Sequence, residues 1–87
     1  MTDTFERLRA RLHRDFGMPL ASLVPEATLE SLEVDSLRMI ELLFGIEEEF
    51  GLSTQEDADH NQLRQRLRTL ADLASYIDEL RQAKAAG

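Results

Sequence analysis

Apolar residues along this chain fall into three helical stripes, joined by two stretches that hold no single period. Phe5, Leu8, Leu12 and Phe16 stand at i, i+3, i+7 and i+11, one face of a helix over about residues 3–16. Thr2 or Thr4 is its candidate cap, and Gly17 with Pro19 its end. Arg7, Arg9, Arg11 and Arg14 take the remaining surface and read as a solvated face. The second stripe carries Leu37, Ile40, Leu43, Phe44 and Phe50, widened by Met39, Leu42 and Ile46. It predicts a helix over about residues 36–50, apolar enough to be central and touched on several sides. Asp35-Ser36, both good N-cap types, mark its start, and Gly51 its C-cap. In the third, Leu70, Leu73, Ala74, Ile77 and Leu80 share a face with Tyr76 at its edge. This helix, over about residues 69–84, opens on the capping pattern Thr69-x-x-Asp72.

The connections are less regular. Residues 17–35 hold Pro19 and Pro25 but also Leu20, Leu23, Val24, Leu29, Leu32 and Val34. A loop this apolar is expected to pack across the helices and deliver Ser36 to the top of the second one. Residues 53–68 fit least well. Ser53-x-x-Glu56 is a candidate capping box for a short helix, with Ala58, Leu63 and Leu67 as anchors. Arg64, Arg66 and Arg68 read either as an anion-binding run or as exposed partners of nearby acids. Gly45 interrupts the second helix at a cost of up to about 1 kcal/mol relative to Ala, for which close helix packing is the expected reason. No strand-like alternation occurs. The expected fold is all-α: three longer helices and one short helix in an up-and-down bundle, with a long loop between helices 1 and 2, as a single domain over residues 1–87.

Composition narrows the function. A chain of 87 residues buries only about 60% of its unfolded surface, so modest stability is expected. It has no cysteine, hence no disulfide framework and no thiolate chemistry of its own. No apolar run approaches the roughly 20 residues that span a membrane, and Met1-Thr-Asp-Thr does not open a secretory signal; a cytoplasmic location is expected. The net charge of −7 is unevenly placed: residues 1–29 are net zero, residues 30–50 net −6 and residues 51–87 net −1. Such a field repels nucleic acid and favours basic protein surfaces. The plainer reading is a solvated helix face that aids solubility.

Candidate chemistry centres on Ser36. His13 and His60 both lie outside the loop and helix that hold it, Gly-x-Ser-x-Gly is absent, and a serine without a base is a poor nucleophile. Glu47, Glu48 and Glu49 are consecutive and fan around a helix, and no spacing matches a metal site. No enzymatic activity, catalytic residue or metal is therefore expected. Ser36 has two readings. It is an N-cap stabilising by about 1 kcal/mol, or a substrate whose hydroxyl lies where helix dipole and free N–H groups favour a phosphate.

Asp35-Ser36-Leu37, then Glu41-Leu42, then Ile46-Glu47-Glu48-Glu49-Phe50-Gly51 resemble the signature of acyl carrier proteins. Leu23-Val24-Pro25-Glu26-Ala27-Thr28-Leu29 resembles the family's loop before the serine, and Thr69 to Ile77 its last helix. The likeness spans roughly residues 4 to 80. It implies a four-helix carrier bundle in which Ser36, beside Asp35, bears a covalent 4′-phosphopantetheine arm. A phosphopantetheinyl transferase moves that arm from coenzyme A, and its thiol then holds an acyl or aminoacyl group as a thioester. It further implies a monomer whose transferase and acyl-loading ligase or synthase partners dock basic patches on Asp35, Leu37, Arg38, Glu41, Glu47 and Glu48. Leu37 would be the apolar contact, or else part of the core.

Three departures set this chain apart. Glu33 stands where the family usually has Gly, Arg38 where it usually has an acid, and the segment after Phe50 is longer and lacks the family's Ile-x-Ile-Pro-Asp pattern. Together they suggest a specialised carrier in a dedicated pathway. The competing expectation is an acidic helical adaptor that has the carrier fold and no arm.

Overall fold

The computed structural model describes residues 3–52 and 65–86. The Ser53-x-x-Glu56 capping box expected to open a short helix, and Arg64, lie outside the described residues. Three helices carry the fold: α1 (Asp3–Phe16), α2 (Ser36–Phe50) and α3 (Leu70–Ala86), with one 3-10 turn at Leu20–Ser22. The described residues contain no strand, only a single antiparallel bridge between Thr28 and Thr69. The fold is all-α.

Local chemistry sets the helix ends. Gly17 takes φ +68° and its N–H bonds to the His13 carbonyl at 3.1 Å, closing α1. Gly51 does the same for α2 at φ +65°, a left-handed conformation that favours glycine. At the start of α3 the Thr69 hydroxyl accepts the Asp72 N–H at 3.1 Å, and the Asp72 carboxylate accepts the Thr69 N–H at 3.2 Å. This is a reciprocal capping box.

α1 packs on both α2 and α3. Phe5, Leu8 and Leu12 from α1 meet Met39, Leu42, Leu43 and Ile46 from α2 and Leu70, Leu73, Ala74 and Ile77 from α3 in one buried core. Thr4 does not cap α1. It is buried against α3, where its hydroxyl donates to Asp78 and accepts from Arg81 at 2.8 Å. Nor is the arginine face of α1 merely solvated. Arg7 bonds the Glu49 carboxylate at 3.0 Å and its carbonyl at 2.7 Å. Arg11 pairs with Asp15 and reaches Glu48 at 3.3 Å. Arg9 holds the carbonyls of Leu20 and Leu23 at 2.9 and 3.0 Å. These arginines tie α1 to the end of α2 and to the long loop, which sequence periodicity alone cannot show because every such pair except Arg11–Asp15 is tertiary.

The long loop is part of the core. Met18, Leu23, Leu29 and Val34 are buried, whereas Leu20 and Val24 stay about 40% exposed. It is pinned to the start of α3 by Leu29 N–H to the Arg68 carbonyl at 2.8 Å, Leu70 N–H to Ala27 at 2.9 Å and Ala71 N–H to Pro25 at 3.0 Å.

Candidate functional site at the start of α2

The chain reaches Ser36 through a tight turn. Val34 N–H bonds the Leu29 carbonyl at 2.9 Å and Glu33 N–H the Glu30 carbonyl at 3.0 Å. That paired pattern is a Schellman motif, and its usual apolar contact is supplied by buried Leu29 and Val34. Glu33 occupies the left-handed position at φ +60°, among the described residues the one non-glycine with positive φ. A glycine there would fit without strain, so the first departure from the family pattern falls on a position with a physical demand for glycine.

Asp35 then caps α2. Its backbone is extended, at φ −82° and ψ −172°, and its side chain accepts the Arg38 N–H at 2.8 Å. Ser36 is therefore the first helical residue and not the cap. Asp35, Ser36, Leu37 and Arg38 are all exposed. Ser36 is thus an exposed residue at the positive end of a fifteen-residue helix. Those residues fit a phosphodiester attached through Ser36: the residue is exposed, and a helix's first N–H groups lack a carbonyl one turn back.

The sidedness of α2 differs from the sequence expectation. Its buried face is Met39, Leu42, Leu43 and Ile46, at i, i+3, i+4 and i+7. Phe44, expected on the apolar face, is 51% exposed, and Leu37, for which both an exposed and a core position were open, is 64% exposed. With Glu41 and Glu48 they form a second, exposed stripe at i, i+4, i+7 and i+11. The helix is thus not enclosed on all sides. The sequence expectation puts Phe44 in the core, whereas it is a surface residue. The signal was available, because the stripe of 39, 42, 43 and 46 matches a core face better than 37, 40 and 44 and leaves Phe44 over.

The acids of α2 are unequal. Glu49 is largely covered, and the hydrogen bond from Arg7 holds its carboxyl below the ordinary value. The bond from Arg11 does the same for Asp15, while the Arg11 guanidinium is raised in turn. Glu48 stays three-quarters exposed beside Arg11. Glu47 is half-buried and Glu41 exposed. His13 is exposed on α1 with Nδ1 2.8 Å from the Met18 carbonyl; His60 lies outside the described residues. No three His, Cys, Asp or Glu groups cluster for a metal among the described residues, and no described helix is long and apolar enough to cross a membrane.

Clefts flank this region. One, of about 400 Å³, lies between the end of α1 and the start of α2, lined by Asp15, Phe16, Asp35, Leu37, Arg38 and Glu41. A larger one, of about 590 Å³, opens between the Thr28–Val34 turn and residues 65–68, with Leu29, Val34 and Leu67 on its walls and Arg68 and Gln65 beside them.

A helical bundle that lifts an exposed serine to the start of its second helix is the architecture of a carrier. The family described as "Phosphopantetheine attachment site" matches residues 6–77. The chain is 36% identical over 80 residues to an acyl carrier protein of Zymomonas mobilis subsp. mobilis, covering 91% of this chain and 96% of that protein. It is 32% identical over 92 residues to the acyl carrier protein AcpXL of Rhizobium etli, covering 98% of this chain and 100% of that one. The chain belongs to the acyl carrier protein family. It is a phosphopantetheine carrier and not an enzyme.

Proposed function

We propose that Ser36 is the attachment point and that residues 1–87 act as one monomeric cytoplasmic carrier domain. The observation that carries this reading is the exposed Ser36 as the first residue of α2, with Asp35 as the cap. When attached, the arm supplies a thiol that holds an acyl or aminoacyl group as a thioester. The chain's own residues do the rest. The dipole of α2 favours the negative phosphate at Ser36. The Schellman turn and the Asp35 cap hold the serine clear of the core. Leu29, Val34 and Leu67 offer an apolar cleft beside the helix for part of the cargo.

Partner enzymes with basic patches dock on the outer stripe, with Glu41 and Glu48 as charges and Leu37 and Phe44 as apolar contacts. Glu47 flanks it. Such docking should be fast and weakened by salt. Glu33 and Arg38 support a dedicated pathway in place of general fatty-acid synthesis.

The test is intact mass after incubation with coenzyme A and a phosphopantetheinyl transferase, for the parent and Ser36→Ala. Because Asp35 and not Ser36 caps α2, the variant keeps the cap. The parent should gain one phosphopantetheine and the variant none. Gain in both would move the site elsewhere, and gain in neither with several transferases would leave the adaptor reading.

A further inference from the structure

We propose that Arg38 selects this carrier's partners: it accepts a docking enzyme that sets a carboxylate opposite it and disfavours one whose docking patch is basic throughout. The inference deepens the carrier reading above and rests on it.

Most cations near α2 are engaged within the fold. Arg7 and Arg11 hold Glu49 and Glu48, Arg9 holds loop carbonyls, Arg81 holds Thr4, and Lys84 holds the Gly51 carbonyl. Arg38 is different. Its side chain makes no ion pair among the described residues, and its guanidinium lies over the Phe16 ring at 5.4 Å from the centroid. Its backbone is fixed by the Asp35 cap. A guanidinium held on an aromatic face keeps its fork of N–H donors and has fewer orientations to lose on binding. That fork matches a carboxylate in two parallel bonds.

The surroundings give this charge its meaning. Arg38 is the lone cation in a cleft it shares with Asp15, Asp35 and Glu41. On α2 it is the single base among four acids. An enzyme that covers Glu41 and Leu37 must also cover position 38, one turn or less away. A wholly basic patch then brings a base against Arg38, and like charges in contact oppose docking. A patch with one acid at that place turns the same contact into attraction. The fit is to a partner surface of mixed sign: bases for Glu41 and Glu48, a carboxylate for Arg38, an apolar hollow for Leu37 and Phe44.

The test uses a phosphopantetheinyl transferase with a basic docking patch, with kcat/KM for arm transfer read by intact mass. Carriers are the parent, Arg38→Asp, Arg38→Lys and Arg38→Met, the last covering Phe16 without charge. Thermal melts confirm that each is folded. Arg38→Asp should be faster than the parent by about tenfold at low salt, equivalent to about 1.4 kcal/mol, with Arg38→Met between and Arg38→Lys near the parent. The gap should shrink as salt rises. Bases of the transferase patch are then changed to Glu one at a time. One such change should favour the parent carrier and penalise Arg38→Asp. Equal rates for all carriers, or no charge swap that favours the parent, would overturn the proposal. A fall with Arg38→Asp would also overturn it, since the guanidinium would then serve the phosphates of coenzyme A. Transfer to no carrier would remove the carrier reading itself, and the proposal with it, whereas transfer to all at one rate removes the proposal alone.

Discussion

Glu33 is held in the left-handed region at φ +60° by two hydrogen bonds and by the burial of Leu29 and Val34 on either side. For a residue with a Cβ this conformation costs about 1–2 kcal/mol. Glu33→Gly removes that strain. It also adds freedom to the unfolded chain, which offsets about 0.5–1 kcal/mol. The net is a stabilisation of about 0.5–1 kcal/mol, the strain term being the larger. For a domain of this size the melting temperature should rise by roughly 4–8 °C for each 1 kcal/mol. Glu33 also lies in the acidic stretch, so losing its charge could stabilise by itself. Glu33→Ala separates the two effects: it removes the carboxylate and keeps the Cβ. Melts of parent, Ala and Gly variants should place Gly clearly above Ala. If Gly and Ala melt together, charge and not backbone strain is responsible, and the account of the turn fails.

Two further predictions concern α2. A Cβ built on Gly45 meets the Arg11 Nε at 3.7 Å and the Asp15 Oδ2 at 3.8 Å, ordinary contact distances; Gly45→Ala should therefore stabilise by roughly 0.5–1 kcal/mol through helix propensity, and a loss in urea midpoint would show that α1 needs the space. Glu49 has its folded carboxyl depressed by Arg7, so its contribution is present above the unfolded value, about 4.3, and is lost as pH falls through the lower folded value. Glu49→Gln should thus lower the melting temperature at pH 7 and converge on the parent as the pH falls, and a gap that stays constant with falling pH would refute the pairing.

The legible parts of this fold were those fixed by short-range chemistry. Asp35, Gly51, Gly17 and the Thr69–Asp72 pair mark helix ends because each acts on backbone groups within four residues. The stripe of α1 was clear because its other face is charged, and its core residues Phe5, Leu8 and Leu12 are buried. α2 was harder: it carries apolar residues on nearly every side, so two stripes compete, and only the closer match of positions 39, 42, 43 and 46 to a core face separates them. The arginines of α1 look solvated in sequence for a related reason. Arg7 and Glu49 are 42 positions apart, and a charge looks solvated until its partner's helix is placed. The family signature pointed to Ser36 as the residue of interest, while the left-handed turn that gives the family's glycine its purpose emerged from the backbone alone.

The ion pairs decide what α2 can offer to another protein. Four carboxylates lie between Glu41 and Glu49, and in sequence they look interchangeable. In the fold, Arg7 takes both the carboxylate and the carbonyl of Glu49, and Arg11 draws Glu48 toward α1. These contacts anchor the far end of the helix, so charge there serves stability first. At the near end the order is reversed. Asp35 is occupied by the cap, Glu41 is exposed on the same stripe as Leu37 and Phe44, and Arg38 sits over Phe16. An isolated surface charge adds little to stability, so the groups nearest Ser36 can vary with the partner at small cost to the bundle. α2 therefore divides along its length: its far end is tied to α1 by ion pairs, and its near end, where the serine is, leaves Leu37, Arg38 and Glu41 exposed.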